Sequence, residues 1–91
     1  MKAEPLLPFA RGLHQDCMVG LHSLEELADE LLSNLDETER AAFRNWLSKA
    51  LAALAPYELS GLLNRASPSI GFSSEAAHQL LRAAADRLDL P

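Results

Sequence analysis

Between Leu24 and Leu35 the apolar residues Leu24, Leu27, Ala28, Leu31, Leu32 and Leu35 recur at intervals of three and four. That spacing runs one stripe down a helix and cannot line one face of a strand, where side chains alternate with period two. The same period returns in four other segments, and no stretch alternates for long enough to read as a strand. The chain therefore reads as all-α, a compact bundle of four to five short helices forming one domain over residues 1–91.

Start and stop signals divide the chain. Leu6, Phe9, Ala10, Leu13 and Cys17 follow helical spacing from Pro5 to Met18, and Gly20 is placed to end that segment. Pro8 fits its first turn, where a missing N–H costs nothing. Ser23 with Glu26 three residues later reads as a capping box opening the next helix. Asp36 with Glu39 repeats the signal ahead of the longest stripe, Phe43, Trp46, Leu47, Ala50, Leu51 and Leu54, which ends near Ala55. On that stripe Trp46 is expected to anchor the core. Pro56 opens a shorter helix carrying Leu59, Leu62, Leu63 and Ala66, in which Gly61 costs up to about 1 kcal/mol relative to Ala. A loop over Ser67–Ser73 contains Pro68 and Gly71, with Ile70 and Phe72 expected to pin it to the core. Ser73 or Ser74 then caps a last helix striped by Ala77, Leu80, Leu81, Ala84 and Leu88.

Size limits what such a bundle can do. A chain of 91 residues buries only about 60 to 65% of the surface it exposes when unfolded, enough for one core and little for an enclosed active site. An enzyme is not expected. The segment Met1–Arg11 is too short and too interrupted by Pro5 and Pro8 for a signal peptide. No apolar run approaches the roughly 20 residues that span a bilayer. A single cysteine, Cys17, excludes an internal disulfide and fits a reducing compartment. The expectation is a cytoplasmic protein that contacts no membrane.

Charge is segregated. From Gly12 to Glu39 there are eight carboxylates, Asp16, Glu25, Glu26, Asp29, Glu30, Asp36, Glu37 and Glu39, and no Lys or Arg. The rest of the chain holds all eight basic residues against five acids, a net charge of +3. The dispersed arginines and a total charge of −5 argue against nucleic acid, which needs a concentrated basic face. A basic protein partner is expected instead, bound by a chain that is itself more simply a monomer. Helical spacing puts Glu25, Glu26, Asp29 and Glu30 on the exposed side of their helix. Glu25 with Asp29, and Glu26 with Glu30, are like-charge pairs four apart, each opposing the helix by roughly 0.2 to 0.5 kcal/mol. Glu25 and Glu26 recover part of that from the helix dipole, which fades beyond the first turn. With Asp16, these four are the candidate partner-binding residues. A solvated face that keeps a small protein in solution is the competing explanation.

Reactive chemistry finds little support. His14, Asp16, Cys17 and His22 match no zinc spacing. Cys17 and His14, three residues apart, have no accompanying oxyanion site. No glycine pattern cradles a phosphate, and no cofactor or metal is expected. The segment Gly20-Leu21-His22-Ser23-Leu24, a serine opening an acidic helix, looks like the attachment site of acyl and peptidyl carrier proteins, which would make Ser23 the carrier of a phosphopantetheine arm. Carrier domains place a long helix before that serine, whereas only 22 residues with two prolines precede Ser23.

Leu13-His14-Gln15-Asp16-Cys17, followed by Ser23-Leu24-Glu25-Glu26-Leu27 and an acidic helix, resembles a family of small all-helical immunity proteins of bacterial contact-dependent growth inhibition systems. Those proteins commonly show an aromatic residue, His-Gln-Asp-Trp, a short acidic turn and a helix opening with Ser/Thr-x-Glu-Glu. His14, Gln15 and Asp16 match residue for residue. Cys17 stands where the family usually has Trp, and Leu13 where it often has an aromatic residue. The resemblance implies binding and neutralisation of the toxic C-terminal domain of a cognate growth-inhibition protein, often a basic nuclease. His14, Gln15 and Asp16 then either contact the toxin or form a polar turn tying the first helix to the second. A helical interaction module of another kind fits the same residues. After co-expression with a phosphopantetheinyl transferase, the intact mass of the protein should be unchanged; an adduct on Ser23 establishes the carrier reading instead.

Overall fold

The computed structural model describes residues 4–12, 23–66 and 71–90. Among them are five helices and no strand: α1 (Leu6–Ala10), α2 (Leu24–Ser33), α3 (Glu37–Ala53), α4 (Pro56–Ala66) and α5 (Ser74–Arg87). None is long and apolar enough to cross a membrane. The Cα radius of gyration, 11.7 Å, matches the roughly 12 Å of a compact chain of this length.

Caps set the boundaries where the sequence placed them. The Ser23 hydroxyl accepts a hydrogen bond from the Glu26 N–H at 3.2 Å. Both halves of the second capping box form: the Asp36 carboxylate accepts from the Glu39 N–H at 2.7 Å, and the Glu39 carboxylate from the Asp36 N–H at 3.1 Å. Of the two serines offered for α5, Ser73 is the cap, accepting from the Ala76 N–H. Pro56 opens α4, and Glu58 reaches back to accept from the Ala55 N–H at 3.0 Å. This contact helps α4 to run its full length in spite of Gly61.

The first helix is shorter than its spacing predicts. It ends at Ala10, and the chain turns through Arg11 and Gly12. Gly12 passes so close to α2 that a Cβ there would collide with the Leu31 side chain, which is itself buried. A glycine at this point both weakens the helix and allows the close passage. Leu13, Cys17 and Gly20, expected to continue and end the segment, lie outside the described residues, as does Ile70.

α5 occupies the centre. α2 and α4 pack along it, and α3 also contacts it. Its buried residues are Ala77, Leu80, Leu81, Ala83, Ala84 and Ala85, a wider face than the single stripe expected, because neighbours cover it from several sides. Alanines permit the short end of the usual 8 to 10 Å range of helix separation. α1 bridges α3 and α4, held by an aromatic column in which Phe9 stacks on Phe43 with ring centroids 4.5 Å apart, and Phe43 on Trp46 at 6.1 Å. Trp46 is 5% exposed and belongs to the core, as expected. Leu51, Leu54 and Phe72 pack partly buried against that core.

α4 keeps its predicted stripe and widens it. Leu59 and Leu63 are buried and Leu62 and Ala66 pack partly buried against the core, as the stripe predicts, but Ser60 is buried as well. Ser60 can be inside because its hydroxyl donates to the Tyr57 carbonyl at 2.9 Å, which removes the cost of an unpaired buried hydroxyl. From the last turn of α4, the Asn64 amide clamps the backbone of Phe72, accepting from its N–H at 2.8 Å and donating to its carbonyl at 3.1 Å.

α5 closes with a Schellman motif. The Leu90 N–H donates to the Ala85 carbonyl and the Asp89 N–H to the Asp86 carbonyl, with Asp89 at φ 58°. That left-handed position suits glycine, and an acid there also faces the negative end of the helix dipole. Asp89→Gly should therefore stabilise the fold by about 1 kcal/mol, raising the midpoint of thermal unfolding by roughly 4 to 8 °C.

Candidate partner-binding face

α2 acquires its acidic face from how its start is fixed. With Ser23 as cap, Leu27, Ala28, Leu31 and Leu32 turn into the core, and Glu25, Glu26, Asp29 and Glu30 are all exposed. The amphipathic spacing predicts this arrangement. No basic residue lies on the helix.

The four acids nevertheless do not form one uniform solvent-facing group. Arg87, in the last turn of α5, donates from Nε to Asp29 Oδ1 at 2.6 Å. Glu25 and Asp86 also bear on Arg87, so one cation stands among three carboxylates; its pKa is raised, first by the hydrogen bond to Asp29 and then by the Asp29 charge. Helical rotation sets Glu26 about 100° round from Glu25, and Glu30 about 100° round from Asp29. The Glu25–Asp29 edge thus meets α5, and the Glu26–Glu30 edge turns away from it. Glu25 and Glu30 take part in no ion pair among the described residues.

The acids that follow are divided in the same way. Glu39 is fully engaged: one oxygen completes the α3 capping box and the other pairs with Arg11 at 2.6 Å. Glu37 is exposed on the first turn of α3. Two more arginines are spent on helix ends. Arg40 donates to the Leu32 carbonyl at 3.0 Å and Arg44 to the Leu88 carbonyl at 3.1 Å. These carbonyls sit at the C-termini of α2 and α5, where positive charge is favoured.

Between α2 and α5 lies an open groove of about 420 Å³, bordered by Glu25, His78, Gln79, Arg82 and Asp86. Its charges are of both signs and its floor is shallow, which suits surface contact better than enclosure of a substrate. Ser23 is partly exposed at the start of α2. Among the described residues no three His, Cys, Asp or Glu side chains converge as metal ligands would. His14, Gln15, Asp16, Cys17 and His22 lie outside the described residues.

Models of known protein families, curated protein sequences and solved structures give no match to this chain.

Sequence reasoning missed the Asp29–Arg87 pair. Arg87 was visible as a basic residue, but nothing local signals that α5 lies beside α2. The pair changes what charge reversal does: Asp29→Lys would set Lys against Arg87 instead of relieving repulsion along α2. The midpoint of thermal unfolding should fall by roughly 2 to 4 °C in Asp29→Lys, and Arg87→Glu added to it should restore most of the loss, as a thermal double-mutant cycle would show.

Proposed function

We propose that this protein is a small immunity-type inhibitor that binds a basic toxin domain through the acidic face of α2. The observation that carries the reading is the exposure of Glu25, Glu26, Asp29 and Glu30 on a ten-residue helix with no basic residue. Like charges at i and i+4 oppose that helix, and only part of the cluster is explained by internal contacts. Asp29 fastens α2 to α5. Glu25 and Glu30 flank it, without ion pairs among the described residues, and are the residues assigned to the partner. The resemblance of His14, Gln15 and Asp16 to the growth-inhibition immunity proteins supports a toxin as that partner.

The mechanism is electrostatic occlusion. A toxin that cleaves nucleic acid carries a basic surface for phosphates, and an acidic helix competes for that surface while speeding the encounter. Neutralisation then needs no chemistry from the inhibitor, no cofactor and no metal. The protein would act in the cytoplasm, where an incoming nuclease meets its substrate.

Glu25→Gln combined with Glu30→Gln tests this without disturbing the Asp29–Arg87 pair. Stopped-flow association with the toxin domain encoded beside this gene should slow by about three- to tenfold at low salt, with a smaller difference at physiological salt. Thermal stability should hold, relief of like-charge repulsion along α2 offsetting the loss of the Glu25 charge beside Arg87 and the helix N-terminus. If the double variant associates at the wild-type rate at both salts and still protects cells, α2 is only a solvated surface and the toxin is bound elsewhere.

A further inference from the structure

We propose that the outer face of α4 is a contact surface for a second copy of this chain. The two α4 helices would cross antiparallel about a two-fold axis passing midway between Gly61 and Leu62. The face consists of Tyr57, Glu58, Gly61, Leu62 and Arg65, which with Leu54 line an open groove of about 410 Å³. Tyr57 is 70% exposed, the more exposed of the two large hydrophobic residues left at the surface among the described residues.

Gly61 is the first reason. Glycine is among the poorest residues for a helix interior, yet a Cβ at Gly61 would meet nothing within 4 Å. The packing inside the monomer therefore does not require glycine at this position. A helix from outside that must approach closely does.

Charge is the second reason, and it selects the occupant. Glu58 and Arg65 stand two turns apart at opposite ends of the same face. A uniformly basic or acidic partner would meet one of them with like charge. An isologous contact requires that if residue i meets j, then j meets i, and an axis between Gly61 and Leu62 satisfies this along the whole face. Glu58 faces Arg65 of the second copy, and Arg65 faces its Glu58. Leu62, which packs partly buried against its own core and also lines the groove, borders the space above Gly61 of the other copy, and Tyr57 lies over Ala66. One Glu58 oxygen is already held by the Ala55 N–H, which fixes the side chain and leaves the other oxygen for the second copy. Arg65 makes no ion pair among the described residues.

A single short helix buries less than the roughly 800 Å² per partner of a standard interface, so the dimer is weak, with a dissociation constant on the order of 100 μM. This surface is distinct from α2, and its test involves no toxin. Sedimentation equilibrium of the full chain, up to about 1 mM, should show wild type moving from monomer toward dimer. Glu58→Arg and Arg65→Glu each set like charges across the axis and should remain monomeric when measured alone. An equimolar mixture of the two should dimerise. There the arginine introduced at position 58 of one variant faces the glutamate introduced at position 65 of the other, while the unaltered Arg65 and Glu58 meet at the opposite end. Both pairs are restored, a recovery that misfolding of either variant could not produce. Gly61→Ala should weaken association at least threefold while its fold is kept. Wild type that stays monomeric at the highest concentration, single variants that dimerise like wild type, or a mixture that stays monomeric would each overturn the proposal.

Discussion

The structure depends on how closely α2 and α4 approach α5. Ala77, Ala83, Ala84 and Ala85 are buried with Leu80 and Leu81 on that one helix, so α5 is covered from more than one side. Small side chains bring the helix axes near and let the leucines of α2 and α4 reach across. A chain of this size has one core, and nearly every apolar residue must contribute to it. The alanine-rich helix lies at the centre of that core, with the leucine stripes around it. The aromatic column of Phe9, Phe43 and Trp46 then fixes α1 and α3 to one another.

Around that core the arginines serve as ties between elements. Arg40 and Arg44, one turn apart on α3, reach the C-terminal carbonyls of α2 and α5. Arg11 holds the α3 capping box from the end of α1, and Arg87 holds α2 through Asp29. Each tie is exposed or nearly so, and singly contributes little. Together they orient the helices against one another. Four of the six arginines are thus placed where the backbone or a carboxylate can use their charge.

This division of labour bears on the acidic face. A cluster of like charges on one helix is costly unless something offsets it, and the fold offsets only part, through the N-terminal dipole at Glu25 and Glu26 and through Arg87 at Asp29. The remaining carboxylate surface is the one proposed to meet the toxin. The outer face of α4 is of different character, with balanced charges, an exposed tyrosine and a helical glycine, and it is proposed for self-association. The two surfaces lie on helices that flank α5 and need not compete.

The helical class, the caps at Ser23 and Asp36, a cap at Ser73 or Ser74, the inward face of α2 and the burial of Trp46 were all legible in the sequence. These follow from hydrogen bonds three residues apart and from the pitch of a helix, both local properties. Packing decided that α5 is central, that Asp29 meets Arg87, that Ser60 is buried on α4, and that Gly12 lies against Leu31. It also decided that Gly61 faces open space. Helical periodicity says which residues share a face but not what covers that face, and Asp29 and Arg87, 58 residues apart, become neighbours only once α2 has packed on α5.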